Sequence, residues 1–153
     1  APRSVCHDGV SHLLHPVVHL HLFNRKGELF LQKRSVKKDT QPGKWDTSVG
    51  GHIGIGESVA EALIRETREE LGLKGFTPKF LKSYVWESTR ERELVNSFTT
   101  VTEKIPVINR DEIDEGRFWS LKEIRNNLGK GIFTPNFEHE FIALFTNSDK
   151  LGS

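Results

Sequence analysis

The sequence predicts an α/β fold, in the form of an α/β/α sandwich with a mixed sheet. Runs of β-branched and aromatic residues with alternating polarity occur on both sides of the middle of the chain, which is typical of strands. Three further segments carry helix-start signals or apolar residues at helical spacing. Strands and helices mixed in this way are typical of layered folds in which helices cover a sheet.

The first part of the chain reads as a hairpin. Residues 17–24 and 28–34 are predicted strands, joined by a turn that ends at Gly27. A polar loop, 35–44, leads into the short apolar stretch 45–49. His19 and His21 share one strand face and are interpreted as ordinary sheet histidines.

A helix is predicted from Ser58 to Leu71. Ser58 is a typical N-cap, and Gly72 stands where a left-handed residue ends many helices. The stripe expected to face the core consists of Ala60, Ile64, Thr67 and Leu71.

The second half supplies the remaining elements. Ser120 and Thr134-Pro135 are typical helix starts. The predicted elements are strands at 76–87 and 93–102, a charged linker at 104–115, a short strand at 116–120 and helices at 121–128 and from 135 onward. The buried stripe of the last helix is expected to be Phe137, Phe141, Leu144 and Phe145.

Length and charge narrow the classes of function. The 153 residues predict a single domain, 1–153. Lys and Arg number 22 against 21 Asp and Glu, a net charge of +1 that argues against nucleic acid polymers and membranes as partners. One cysteine, Cys6, excludes an internal disulfide framework and favours the cytoplasm. The chain has no methionine, which leaves open a missing natural N-terminal segment.

Acidic residues concentrate in the predicted middle helix. Glu66, Glu69 and Glu70 fall within little more than one turn, where their mutual repulsion favours a bound cation. Magnesium or manganese is the natural candidate for oxygen ligands. The alternative is a solvated helix face, because Arg65 has oppositely charged partners four residues away on both sides.

The residues before this helix favour a site over a solvated face. Four glycines crowd into the preceding loop, so that the backbone can approach a ligand closely, and Glu57 adds a fourth carboxylate. These glycines are Gly50, Gly51, Gly54 and Gly56.

The stretch 51–73 resembles the signature box of the Nudix hydrolases, which cleave a diphosphate linked to another moiety. Every fixed position of the box is present, from Gly51 through Glu57 to the run Arg65-Glu66-Thr67-Arg68-Glu69-Glu70-Leu71-Gly72. Thr67 replaces the usual aliphatic residue, and its hydroxyl is expected to bond to a carbonyl one turn earlier. The resemblance implies a Nudix-type sandwich and a small-molecule diphosphate substrate.

The same resemblance implies roles for individual residues. Arg65 would support the carboxylates rather than contact substrate. The catalytic base stays open among Glu66, Glu69 and Glu93. The implied ligands of Mg²⁺ or Mn²⁺ are Gly51, Glu57, Glu66, Glu69 and Glu70.

A second resemblance points to the group of Nudix proteins similar to isopentenyl diphosphate isomerase. It rests on His15, Leu22-Phe23-Asn24, Lys33-Arg34, Pro42-Gly43-Lys44-Trp45, Ser48-Val49 and Gly51-His52. It implies a possible second metal site at His7, His15 and His52, against the alternative of surface histidines. Isomerisation itself is disfavoured, because the isomerase cysteine would fall at Gly50 and its active-site aromatic residue at Asn136.

Three classes of function therefore remain: a metal-dependent hydrolase, which is preferred, an isomerase, and a ligand-binding module without catalysis. The moiety attached to the diphosphate and the oligomeric state stay open. Specificity is expected in the loops 35–44, 86–92 and 130–136. Trp45, Trp86, Trp119 and Phe133 could stack on a base but are more typical of a core.

Overall fold

The computed structural model describes residues 13–38, 40–89 and 92–145, and within them seven strands and three helices. The strands are β1 (Leu14–Phe23), β2 (Leu29–Arg34), β3 (Trp45–Asp46), β4 (Val49–His52), β5 (Lys79–Glu87), β6 (Arg92–Val101) and β7 (Ile113–Trp119). The helices are α1 (Val59–Leu71), α2 (Leu121–Asn126) and α3 (Pro135–Phe145). The predicted α/β fold with a mixed sheet and three helices is confirmed.

Strand β1 is the centre of the sheet. It runs parallel to β6 along its whole length and antiparallel to β4 from Val17 to Leu20. Its predicted hairpin partner β2 meets it only at Phe23 and Leu29, and β2 then pairs with β3 and β7. The hairpin prediction is therefore right at the turn and wrong beyond it, because β4 takes the edge of β1 that a regular hairpin would use.

The two faces of the sheet carry separate apolar clusters. Alternate residues of a strand point to opposite faces, and Val18, Leu20 and Leu22 of β1 belong to the cluster that α1 covers. The other cluster lies under α2 and α3, with Leu29 and Leu31 of β2 at its centre. Its remaining members are Trp45, Trp119, Ile124, Phe133, Phe137, Phe141 and Phe145. The sheet is thus covered by helices on both faces, as the sequence predicts.

Helix α1 begins and ends as expected but turns a different face to the core. The Ser58 side chain accepts from the Glu61 backbone in a capping box, and Gly72 ends the helix with a φ of 63°. The Thr67 hydroxyl donates to the carbonyl of Leu63, also as predicted.

The predicted buried stripe of α1 is partly wrong. Ala60 is exposed, Ile64 is 52% exposed, and Glu70 is buried in spite of its charge. Gln32 donates a hydrogen bond to Glu70, which offsets the cost of burying that carboxylate. Ala62 and Leu63 pack in the core cluster in place of Ala60 and Ile64. The buried residues of α1 are Ala62, Leu63, Thr67, Glu70 and Leu71.

Several predicted boundaries shift by a few residues. Strand β7 begins at Ile113, inside the predicted linker, because Ile113 is 2% exposed and is a core residue. The predicted helix at 121–128 ends at Asn126. Within the described residues no helix combines the length and apolar character needed to cross a membrane.

Gly116 tests the packing of β7 against the α1 side of the sheet. A Cβ on Gly116 would lie 2.5 Å from Cζ of Phe30 and 2.7 Å from Cγ2 of Ile108. We expect Gly116→Ala to lower the free energy of unfolding by about 1–3 kcal/mol, because the core must shift to admit the methyl group. Urea unfolding measures this, with Glu115→Ala, an exposed neighbour on the same strand, as the control. Equal stability of the two variants would contradict the packing described.

Candidate functional site

A cleft of about 820 Å³ opens beside β1, β4 and the start of α3. The predicted site residues that line it are Gly51, His52, Glu70 and Glu93. Arg34, the last residue of β2, and Lys38 of the following loop line it as well. The cleft therefore combines carboxylates with cations, which suits a ligand that carries phosphate groups together with a metal cation.

Arg65 connects the carboxylates of α1 and the preceding loop. Its Nε donates to Oε2 of Glu57 at 2.8 Å, and its Nη1 donates to Glu66 at 2.8 Å and to Glu69 at 3.3 Å. Its Nη2 donates to Oε1 of Glu57 at 3.0 Å and to the carbonyl of His52 at 3.1 Å. Hydrogen bonds from Arg65 lower the pKa of Glu57 to about 2. One guanidinium thus holds three carboxylates and one strand end in a fixed arrangement.

Glu66 and Glu70 form a second carboxylate pair on α1, and Glu70 lines the cleft. Glu70 accepts from Nε2 of Gln32 at 2.7 Å, and burial followed by its hydrogen bond to Glu66 raises the pKa of Glu70 well above its usual range. The Glu66 carboxylate occupies the space where Gly51 would carry a side chain, since a Cβ there would lie 2.2 Å from Cδ. Glycine is therefore required at position 51 for Glu66 to reach the strand.

These donors fit a divalent cation by their chemistry. In the ranges 13–38, 40–89 and 92–145, no three His, Cys, Asp or Glu side chains are arranged to hold a metal ion as they stand. Arg65 instead pairs with Glu57, Glu66 and Glu69, and burial raises the pKa of Glu70. A divalent ion would compensate the charge of these carboxylates through their oxygens.

The predicted histidine site is only partly within the described residues. His7 lies outside them. His15 and His52 have ring centroids 6.3 Å apart, and Nε2 of His52 lies 4.0 Å from Oε2 of Glu93. His15 and Glu93 are opposite each other in the β1–β6 register. The fold therefore brings His15 close to His52 and Glu93, which line the cleft.

Of the four aromatic residues singled out from the sequence, three lie in the core and one lines the cleft. Trp45, Trp119 and Phe133 are buried in the cluster under α2 and α3. Trp86, by contrast, is half-buried, lines the cleft and packs beside the ring of His139 at 5.0 Å between centroids. Trp86 is therefore the aromatic residue of this set that can contact a ligand.

Sequence reasoning missed a buried polar cluster next to the cleft. Glu140 of α3 is 0% exposed and accepts from Nδ1 of His19 at 2.7 Å and from the Ser97 hydroxyl at 2.6 Å. His21 and the Tyr84 hydroxyl also bond to this carboxylate. His19 and His21 are thus not ordinary sheet histidines. The available signal was Glu140 itself, a carboxylate within the apolar stripe of the last helix.

Comparisons with known proteins agree with this geometry. A family model described as the NUDIX domain matches residues 13–145. An uncharacterised Nudix hydrolase of Listeria monocytogenes is 33% identical over 132 residues, which cover 81% of this chain and 74% of that protein. Isopentenyl-diphosphate Delta-isomerase 1 of Photorhabdus laumondii is 29% identical over 147 residues, which cover 90% and 84% of the two chains.

A solved structure shares the fold. The MutT protein of Methanosarcina mazei superposes with a TM-score of 0.76 at 26% identity, over 92% of this chain and 99% of that one. The match over residues 13–145 covers nearly all of the described chain, and the Nudix hydrolases among its relatives match most of its length. The chain therefore belongs to the Nudix family, as a pyrophosphohydrolase of that family.

Proposed function

We propose that this enzyme is a metal-dependent hydrolase that cleaves a phosphoanhydride in a small molecule by attack of water on phosphorus. The observation that carries the proposal is that Glu70 and Glu93 line one cleft together with Arg34 and Lys38. Glu70 is hydrogen-bonded to Glu66, one of the three carboxylates that Arg65 holds. Arg34 is fixed there by the carbonyl of Thr40 at 3.0 Å and by Asp46 at 3.5 Å. A diphosphate in this cleft would meet both cations and ion-binding carboxylates.

The residues that would hold Mg²⁺ or Mn²⁺ are those of the box. They are Gly51 through its carbonyl, Glu57, Glu66, Glu69 and Glu70. When bound, such an ion neutralises phosphate charge and lowers the pKa of a water molecule. The protein would contribute rigid placement, since Arg65 ties three of the carboxylates to one guanidinium.

A carboxylate would take the proton from the attacking water. Glu66, Glu69 and Glu93 remain the candidates, and they differ in surroundings. Glu69 is 53% exposed in its side chain, whereas Glu66 and Glu93 are 14% and 18% exposed. Glu93 lies on β6 and lines the cleft, so it can reach a water molecule there.

The group attached to the diphosphate is to be identified by assay. Candidate substrates are nucleoside triphosphates, nucleotide sugars, dinucleoside polyphosphates and coenzyme derivatives, and Trp86 is positioned to stack on a planar group. A cytoplasmic location, a single domain and the absence of nucleic acid and membrane partners remain predictions.

Removal of one ligand carboxylate should abolish turnover without unfolding the protein. We expect Glu69→Gln and Glu70→Gln to reduce kcat by at least about 100-fold, because each removes a negative oxygen that the cation needs. The assay is release of phosphate or nucleoside monophosphate from a panel of phosphoanhydrides with Mg²⁺.

Glu61→Gln is the matched control for these variants. It lies on the same helix, and glutamine preserves its capping bond to Ser58. Wild-type rates for both Glu69→Gln and Glu70→Gln at saturating Mg²⁺ would place the ion elsewhere.

Arg65 should support the site rather than contact the substrate. Arg65→Gln is expected to lower the free energy of unfolding by about 1–3 kcal/mol, because Glu57, Glu66 and Glu69 lose their charged partner. It should also weaken Mn²⁺ binding by about 10-fold or more, measured by electron paramagnetic resonance. Arg68→Gln, on the exposed side of the same helix, should change both quantities little. Equal behaviour of the two variants would remove the supporting role of Arg65.

Isomerisation of isopentenyl diphosphate is the second candidate, favoured by the isomerases among the relatives. Gly50 stands where the isomerase cysteine would fall, and glycine has no group that can carry a proton. We therefore expect no dimethylallyl diphosphate after incubation with isopentenyl diphosphate and Mg²⁺, measured by gas chromatography of the released alcohols. Formation of that isomer at enzymatic rates would replace hydrolysis with isomerisation as the function.

A further inference from the structure

The cluster around Glu140 holds one imidazole at the edge of the cleft. Nδ1 of His19 is bonded to Glu140, so the opposite edge of the ring remains for other contacts. That edge lies beside Gly50, since Nε2 would be 3.7 Å from a Cβ placed there. Both His19 and Gly50 line the cleft. Within the described part of the chain, no side chain or backbone group bonds to Nε2 of His19.

The ring is firmly oriented by groups from several elements. Glu140 comes from α3, and its carboxylate is held in turn by Ser97 of β6, Tyr84 of β5 and His21 of β1. Because four elements of the fold meet at this carboxylate, its position and that of the attached ring are fixed. A histidine held by a buried carboxylate at Nδ1 presents Nε2 in a defined direction.

The charges around the ring favour its protonated form. Burial alone would lower the pKa of His19, but Glu140, with further contributions from Asp46 and Glu93, raises it above its ordinary value. Burial likewise disfavours an ionised Glu140, yet His19 and His21 keep the pKa of Glu140 well below its usual range. Both shifts favour an ionised Glu140 beside a His19 ring with an N–H on each nitrogen, one of them on the side of Gly50.

We propose that His19 is a phosphate-binding residue, whose Nε2–H donates a hydrogen bond to the leaving phosphate of the substrate, and that Glu140 is its positioning residue. This inference rests on the proposed hydrolytic function. His19 lies opposite Gly50 in the β1–β4 register, and the Gly50 backbone N–H donates to Glu70, one of the proposed metal ligands. His19, Gly50 and Glu70 all line the cleft, so a diphosphate with one phosphate beside Glu70 would extend its second phosphate toward His19.

The chemical step explains what such a donor contributes. The oxygen of water forms a bond to phosphorus, and a carboxylate base takes the proton. The bridging P–O bond breaks, and its electron pair stays on the leaving phosphate. His19 keeps its own proton and donates a hydrogen bond to the oxygen where negative charge grows, so its contribution is greatest in the transition state.

A spectroscopic test reads the contact directly in the wild-type protein. Methylene diphosphonate, which cannot be hydrolysed, is added with saturating Mg²⁺ to protein labelled with ¹⁵N in histidine. We expect the Nε2 signal of His19, assigned by its loss in His19→Asn, to shift and saturate. The signal of His21, which is 0% exposed, should stay in place. A stationary His19 signal, with or without ligand binding elsewhere, would overturn the inference.

A kinetic test uses substitutions that separate the two ring nitrogens. Asparagine can replace the Nδ1 donor to Glu140 but not Nε2, whereas glutamine can place its amide near Nε2. With the best substrate of the panel, His19→Asn should lower kcat on the order of 100-fold with a smaller change in KM. His19→Gln should retain about a tenth of the wild-type kcat. The kcat of Glu140→Gln should lie between those of His19→Asn and His19→Gln.

Glu138→Gln, an isosteric change on the same helix, is the control and should retain the wild-type rate. Wild-type kcat in His19→Asn, or equal losses in His19→Asn and His19→Gln, would overturn the role of His19 and leave the hydrolase assignment intact. A wild-type protein that cleaves no member of the panel would overturn the proposed function and this inference together.

Discussion

The interaction on which the site depends is that of one guanidinium with three carboxylates. Glu57, Glu66 and Glu69 would repel one another on a short stretch of chain, and Arg65 compensates all three. Its planar fork also reaches the carbonyl of His52, so the loop, the helix and the end of β4 are joined at one point. A lysine would supply the charge but not this set of directions, so the arrangement of these three carboxylates requires arginine.

Strand β1 connects the helix that carries the carboxylates, α1, with the helix that carries Glu140, α3. Successive side chains of β1 alternate between faces, so Leu20 packs under α1 while His19 and His21 reach Glu140 of α3. Movement of β1 would therefore disturb the α1 core and the His19 ring together. A rigid central strand is a suitable mount for groups that must stay aligned with a ligand.

The parts that the sequence could predict are those governed by local interactions. The Ser58 side chain bonds to the backbone of Glu61, three residues later, and the Thr67 hydroxyl bonds to a carbonyl one turn earlier. Arg65 forms an ion pair with Glu69 on the next turn. Each contact depends on helical spacing alone, so it can be predicted from the sequence. From the sequence, the glycine at position 51 is explained only by backbone flexibility. The structure gives a specific reason, because the Glu66 carboxylate occupies the space of a side chain at this position.

The parts that could not be predicted depend on partners distant in sequence. The burial of Glu70 on α1 depends on Gln32 of β2, which lies 38 residues before it. The interpretation of His19 changes because of Glu140, which lies 121 residues away. A polar residue in an apolar stripe signals that some buried partner exists, but only the strand order shows which one.

Position 50 links the choice of reaction to the use of His19. The isomerase resemblance would place a cysteine there, and glycine removes the group that could move a proton on carbon. The same absence leaves the His19 ring accessible, because even a Cβ on Gly50 would lie 3.4 Å from its Cδ2 and a thiol would extend further. A side chain that serves proton transfer to carbon would therefore compete with a phosphate oxygen for the space beside Nε2. Gly50 therefore favours hydrolysis for two reasons: it has no group that can carry a proton, and it leaves the space beside Nε2 of His19 open to a phosphate oxygen.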